Sequence, residues 1–314
     1  MRVVIPGGSG QVGAVLCRAF HRDGADVVVL SRHPQKAPWR TVAWDAETLG
    51  PWAREIDGAD VVINLAGRTV NCRYTRANLD EMMRSRVVST RAVGEAIARC
   101  EMPPRVWLQA STATIYSHRF DAPNDDVSGV IGGHEPDAPG YWRFSVDVAT
   151  AWEAAQLQSL LPHTRRVAMR AAMVMSPDAG GIFDTLLGLV RRGLGGRAAS
   201  GRQYISWVHD ADFVRAVRWL IDHDALAGPV NIASPNPLPQ AEFMRILRRA
   251  AHMPIGLPAT EWMLRAGAWF MRTDVELILK SRRVVPTRLL SSGFRFEIAD
   301  WEAAAHDLVR RRRA

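Results

Sequence analysis

Gly7, Gly10 and Gly13 stand three apart behind the apolar run Val3-Val4-Ile5-Pro6, with Ser9, Gln11 and Val12 among them. Strand, glycine turn and helix in this order form a device for holding a pyrophosphate. Gly7 permits the tight turn, Gly10 lets a phosphate approach the backbone, and Gly13 lets the helix lie close to the strand. The helix presents unpaired N–H groups and the positive end of its dipole to the anion. A glycine triplet alone is weak evidence, but Val12, Val15, Leu16, Ala19 and Phe20 follow at helical spacing and give that helix one apolar face.

The second apolar run ends Leu30-Ser31-Arg32-His33, where an acidic residue would bond an adenosine ribose 2′-hydroxyl. No carboxylate stands there. Arg32 can make a charge-assisted contact to a 2′-phosphate and Ser31 can add a hydrogen bond, which favours NADP over NAD. The alternative is an arginine exposed in a loop. Leu65, Ala66 and Gly67 close the strand Ala59 to Asn64, and their small side chains leave room beside the same crevice.

These residues need a parallel sheet to position them. Short apolar runs alternate with helical segments through the first half: Asp26 to Ser31, Thr41 to Trp44, Ala59 to Asn64, Arg105 to Gln109 and Arg165 to Arg170 read as strands. A long helix is expected from about Ala77 to Arg99, another from Val146 to Leu161. This predicts an α/β, doubly wound Rossmann sheet with ligands at the carboxyl ends of its strands. After Arg170 glycines and prolines break the rhythm; Phe183 to Arg192 and Ala211 to Asp222 read as helices, Ile205 to Val208 and Val230 to Ala233 as strands, and the chain from Pro239 to Pro286 as helical. Trp262, Ala266 and Trp269, with Met263 and Phe270, form an apolar stripe expected to be core or a lid. The expected division is a cofactor domain of residues 1–170 plus 203–233 and a smaller, mainly helical substrate domain of 171–202 plus 234–314.

At 314 residues, 47% hydrophobic and 23% charged, the chain has an ordinary globular composition. No apolar run reaches the roughly 18 residues of a membrane helix, and the opening strand argues against a signal peptide. Forty basic against 32 acidic residues give a net charge of +8, nearly all of the excess arginine. The arginines are scattered, with one dense run at Arg310 to Arg313, so nucleic acid is not the expected partner. Cys17, Cys72 and Cys100 are widely spaced and odd in number, which suits a reducing cytoplasm, and neither they nor the nine histidines show metal-ligand spacing.

Gly7, Gly10 and Gly13, Asn64-Leu65-Ala66-Gly67, Ser111-Thr112-Ala113-Thr114-Ile115-Tyr116, Arg170 through Ser176-Pro177, Val208-His209-Asp210-Ala211-Asp212 and Val230-Asn231-Ile232-Ala233 follow one another in an order that resembles the extended short-chain dehydrogenases/reductases of the NAD-dependent epimerase/dehydratase group. Gly67 to Tyr74, Ser85-Arg86-Val87, Trp152-Glu153, Ser206-Trp207-Val208, Pro286 to Leu290 and Gly293-Phe294-Arg295-Phe296 resemble an atypical subfamily with a carboxyl-terminal domain of undefined role. The resemblance implies an NADP(H)-binding oxidoreductase or epimerase, and places Thr112 where the family orients the substrate oxygen.

The family's general acid is a tyrosine with a lysine four residues later on one helix. Here Ser145 falls on the tyrosine position and Ala149 on the lysine position, and no Tyr-x-x-x-Lys occurs in the chain. A positioned acid contributes about 10²–10⁴ in rate, and a serine hydroxyl alone is too weak an acid to replace it. Tyr116, at the end of the fifth strand, is the first candidate substitute and Tyr141 the second; each could equally be a packing tyrosine. Arg86 is expected at the cofactor. Together with Arg73 and Arg170 it could neutralise an anionic small-molecule substrate, or these arginines could pair with buried acids. His209 and Asp210 are expected to brace the domain junction. Two readings follow: an enzyme with an atypical acid acting on a carbonyl or sugar-like substrate, or a non-catalytic NADPH sensor or scaffold.

Overall fold

The structure, a computed structural model, describes residues 1–136, 138–271 and 274–313. Strands β1 (Arg2–Pro6), β2 (Asp26–Ser31), β3 (Arg40–Ala43), β4 (Val61–Asn64), β5 (Val106–Thr112) and β6 (Arg165–Ala171) are followed by β7 (Met173–Met175), β8 (Tyr204–Ile205), β9 (Trp207–His209), β10 (Gly228–Ile232) and β11 (Leu238–Pro239). Seven of them form one parallel sheet in the order β10-β6-β5-β4-β1-β2-β3. The expected Rossmann sheet is therefore present. Its strand order reverses between β1 and β4, which opens a crevice at the carboxyl ends of those strands. Val3, Ile5, Val61, Ile63, Val106 and Leu108 are all wholly buried, as strands covered by helices on both faces must be.

The helices are α1 (Gln11–Arg22), α2 (Arg76–Ala98), α3 (Arg143–Leu157), α4 (Ile182–Arg191), α5 (Asp210–Asp222), α6 (Gln240–Ala250), α7 (Glu261–Met271), α8 (Glu276–Leu279), α9 (Thr287–Ser291) and α10 (Trp301–Arg313). Helix α2 begins at Thr75, whose side chain accepts a hydrogen bond from the Asn78 amide, and runs close to the span expected of it. A second apolar cluster lies outside the main sheet, built from Phe183 and Leu187 of α4, Phe243 and Leu247 of α6, and Trp301 and Leu308 of α10. The Trp301 ring stacks on Phe243 at 3.9 Å, and its indole N–H donates to the Phe243 carbonyl at 2.9 Å.

Three local expectations change. The strand read over Ile205 to Val208 is split at Ser206, because β8 pairs antiparallel with β11 while β9 pairs parallel with β7. The Ser206 hydroxyl donates to the Arg282 carbonyl at 2.6 Å and fills the break. The chain before Pro286 is helical only in pieces; past Leu279 it runs irregularly into Val284-Val285-Pro286, a β-branched pair and an imino acid that oppose a helix. The stripe on α7 is not core at its start, since Trp262 is 70% exposed and Met263 43%. The side chains of Trp269 and Phe270 lie outside those described.

Candidate functional site

The glycine turn joins β1 to α1. Gly7 has φ +74° and its amide donates to the Leu30 carbonyl at 2.9 Å. A Cβ there would stand 2.7 Å from the Ala66 backbone, so the turn lies against the end of β4. At Gly13 a Cβ would stand 2.4 Å from the Gly8 carbonyl oxygen, whereas at Gly10 it would meet only the Gly7 oxygen, at 3.6 Å. Gly13 thus lets helix and turn touch, and Gly10 leaves one side of the turn open. Gly10 caps α1 without a side-chain hydrogen bond, and no acidic residue stands in the first turn. The amide groups there point outward unopposed.

Gln11 and Val12 line a cavity of about 270 Å³ with Leu65, Ser111, Met169, Ala172, Val174 and Phe213. The Gln11 side-chain nitrogen is buried and has no hydrogen-bond partner among the described residues. An orphaned buried donor is costly unless a ligand or water satisfies it. Together with the open turn and the uncapped helix, it fits a dinucleotide phosphate at this place.

At the end of β2 the Ser31 hydroxyl donates to the Ser9 hydroxyl at 3.2 Å and accepts from the His33 amide at 3.2 Å. Arg32 is exposed, and no carboxylate pairs with it among the described residues. After β4, the Leu65 amide donates to the Pro6 carbonyl at 2.8 Å and the Ala66 amide to Asn64 Oδ1 at 3.1 Å, which holds this strand end against the turn. The Arg86 side chain runs along Gly67, where a Cβ would stand 3.1 Å from its Cγ. Arg86 is 8% exposed, donates to the Met82 carbonyl at 3.0 Å, and lies 4.9 Å from the centre of the Trp152 ring. No carboxylate pairs with it among the described residues, and burial pushes its guanidinium down to about 10.

The residues after β5 have a different character. Thr112 Oγ1 accepts from the Thr114 amide at 3.1 Å. Tyr116 is 2% exposed, and its hydroxyl donates to Asn231 Oδ1 at 2.9 Å and accepts from Arg170 at 2.9 Å. Arg170 makes a fork to Glu153, with Nε to Oε1 and Nη2 to Oε2 both at 2.8 Å, and the Ser111 hydroxyl donates to the same carboxylate at 2.5 Å. Burial pushes the Tyr116 phenol up, only partly offset by Arg170. This placement argues against the acid role expected of Tyr116: its proton is engaged inside a satisfied network and its ring faces protein. For Arg170 the open alternative resolves toward the buried acid.

His209, 1% exposed, accepts from the Ala211 amide at 3.2 Å and stands 3.1 Å from Asp307 on α10. Asp210 accepts a fork from Arg311 at 2.9 and 2.6 Å. Both brace α5 against α10. Tyr141 is 45% exposed beside Trp142.

Sequence reasoning missed a buried charged cluster over Thr114. The Ser145 hydroxyl donates to Glu276 Oε2 at 2.6 Å, and Lys280 Nζ stands 3.7 Å from Glu276 Oε1. Lys280 also donates to the Thr114 carbonyl at 3.1 Å, and Arg282 Nε to the Thr114 hydroxyl at 3.0 Å. The one signal in the chain was the four-residue spacing of Glu276 and Lys280, which reads equally as a surface helix pair. Ala149, on the family's lysine position, is wholly buried. Among the described residues no group of His, Cys, Asp and Glu suits a metal ion, and no helix is long and apolar enough to cross a membrane.

Residues 3–139 match the NAD dependent epimerase/dehydratase family, and residues 259–308 match a domain of unknown function, DUF1731. An epimerase family protein of Staphylococcus epidermidis is 29% identical over 98% of this chain and 99% of its own length. The Bacillus subtilis epimerase family protein YfhF is 28% identical over 98% of both. The human epimerase family protein SDR39U1, solved with NADPH, is 26% identical and superposes with a TM-score of 0.86 over 99% of each chain. UDP-N-acetylglucosamine 4-epimerase from Bacillus cereus, at 15% identity and a TM-score of 0.75 over the whole of each chain, shares the fold. Residues 3–139 thus carry the epimerase/dehydratase family domain and residues 259–308 the domain of unknown function, and over nearly its whole length the chain is similar to proteins named epimerase family proteins.

Proposed function

We propose that this protein is an NADP(H)-dependent oxidoreductase or epimerase-like enzyme acting on a small carbonyl or sugar-like substrate. The observation that carries the reading is the set of polar groups around one crevice that lack a partner among the described residues: the open turn at Gly10, the uncapped start of α1, the orphaned Gln11 nitrogen and the exposed Arg32. Gly7, Ser9, Gly10, Gln11, Val12 and Gly13 would hold the pyrophosphate, Ser31 and Arg32 the 2′-phosphate, and Leu65, Ala66 and Gly67 the floor of the crevice. The relative solved with NADPH supports that choice of cofactor. When bound, the nicotinamide supplies or accepts a hydride. Thr112, at the carboxyl end of β5, would orient the substrate oxygen.

In this reading residues 1–170 with 203–233 hold the cofactor, and 171–202 with 234–314 cover the substrate. Arg86, buried without a carboxylate, favours an anionic group in the cofactor or substrate beside it. The three free cysteines suit a cytoplasmic setting. The test is calorimetry with NADPH and NADH, followed by NADPH absorbance with a panel of keto-sugar nucleotides and simple ketones. Tight NADPH binding with consumption by one substrate class is expected. Failure to bind either nucleotide overturns the reading; tight binding with no turnover across the panel favours the sensor instead.

A further inference from the structure

Two acid–base groups of the carboxyl-terminal domain are wholly inside the protein, above the end of β5. Glu276 is 0% exposed and Lys280 2%. Lys280 is one of only two lysines in a chain otherwise supplied with arginine. Glu276 Oε1 has no hydrogen-bond partner among the described residues, and Lys280 lies beyond hydrogen-bond reach of it at 3.7 Å. A pair serving only to tie two lobes together would close that gap, because an incompletely bonded buried charge is destabilising.

The cluster also leads toward the cavity. Ser111 lines the cavity, and next to it Thr112 Oγ1 takes the Thr114 amide. Thr114 in turn receives Lys280 and Arg282. On the other side Glu276 meets Ser145, in the first turn of α3, and Ser145 keeps part of its surface open. Ser145, Thr114 and Arg282 are the partly exposed members of the cluster, and of these Ser145 has Glu276 directly behind its hydroxyl.

We infer that Glu276 and Ser145 form a proton relay for this site, Ser145 touching the substrate oxygen and Glu276 supplying its proton from behind, with Lys280 as counter-ion. The inference rests on the hydride-transfer reading above. In reduction, with the hydride for the new C–H bond supplied by the bound cofactor, the carbonyl oxygen would take the Ser145 proton. The Ser145 oxygen takes the Glu276 carboxyl proton, and the carboxylate left behind faces the Lys280 ammonium. Oxidation runs each transfer backward. A serine too weak to act alone becomes a relay when a carboxyl group refills it.

Burial acts in the sense the relay needs. Burial pushes Glu276 above the usual carboxylate range, against the pull of Arg282, Ser145 and Lys280, and Asp274 adds to the rise. Burial pushes Lys280 down to about 8 although Glu276 and Glu135 pull it up. Tyr74, from the loop before α2, also faces Glu276, Asp274 and Arg282.

Infrared difference spectroscopy on the full chain, titrated across the neutral range without substrate, tests the protonation state directly. A carboxylic C=O band that vanishes in Glu276→Gln and shifts in Ser145→Ala is expected. Absence of any band removed by Glu276→Gln overturns the relay while leaving NADPH binding, measured by calorimetry, untouched. With a substrate from the keto-sugar and ketone panel, kcat should fall about 10²-fold or more in Glu276→Gln. The alkaline fall of the reduction rate should disappear and NADPH affinity should stay within about twofold. An unchanged pH profile in both variants, with only a lower Tm, would assign the cluster to bracing. Ser145→Ala changes one part-exposed atom, so it carries the same test should Glu276→Gln fail to fold.

Discussion

The glycine turn and the Tyr116 network occupy neighbouring strand ends and are built in opposite ways. Around the turn polar groups lack partners among the described residues: the amides at the start of α1 and the Arg32 guanidinium are open, and the Gln11 nitrogen is buried without a hydrogen bond. Around Tyr116 the hydrogen bonds close on one another, from Asn231 to Tyr116 to Arg170 to Glu153 to Ser111. The first arrangement leaves polar groups without a partner among the described residues. The second meets its desolvation internally and holds β5, β6, β10 and α3 together. Chemistry-bearing residue types occur in both, so residue type alone does not separate a receiving site from a bracing one.

The sharpest way to break this comparison is Glu153→Ala. It leaves the Arg170 guanidinium buried and unpaired, and should cost about 3–5 kcal/mol in urea unfolding. A loss near zero would mean that the network is not structural. Gly13→Ala forces a methyl into the Gly8 carbonyl; the displaced turn should lower stability by about 1–3 kcal/mol and abolish most NADPH binding in calorimetry. Unchanged affinity would remove the turn from the cofactor site.

Arg32→Ala should weaken NADPH at least about tenfold, the equivalent of one charged hydrogen bond of about 1.5–3 kcal/mol, and leave NADH nearly unchanged. Equal losses for both would withdraw the 2′-phosphate role. Tyr116→Phe should lower stability by about 1–3 kcal/mol while sparing NADPH affinity and turnover. Turnover lost at full stability would restore Tyr116 as the acid and erase the contrast.

The smallest effect concerns acid. The Gly180 amide, then Arg312, hold Asp184 below the usual carboxylate range. Burial pushes Asp178 and Asp307 up, but Ser176 and Arg18 on the one, and Arg311 and Arg310 on the other, bring them below it. A folded carboxyl held below its unfolded value of about 3.9 contributes stability that is present above that value. It is lost as pH falls through the lower folded one. Tm should therefore hold from neutral pH to about 5 and decline from about 4 downward. Asp307→Asn should flatten part of that decline. Glu276 and Asp126, pushed up by burial, act in the opposite sense at higher pH.

The amino-terminal turn was legible in the sequence because its physics is local. Glycine spacing, the apolar run before it and the helical face after it lie within about one strand and one helix of chain. The doubly wound sheet was legible for the same reason, since each strand announces itself by its own apolar run. Which tyrosine is engaged, and what stands behind Ser145, was decided by residues far apart in the chain: Tyr116 meets Arg170 and Asn231, and Ser145 meets Glu276. Burial and partners set whether such groups are free or satisfied, and only the packed chain determines either. Near neighbours in sequence therefore located the glycine turn and its crevice, whereas the surroundings of Ser145 took shape only once the carboxyl-terminal segment brought Glu276 to it.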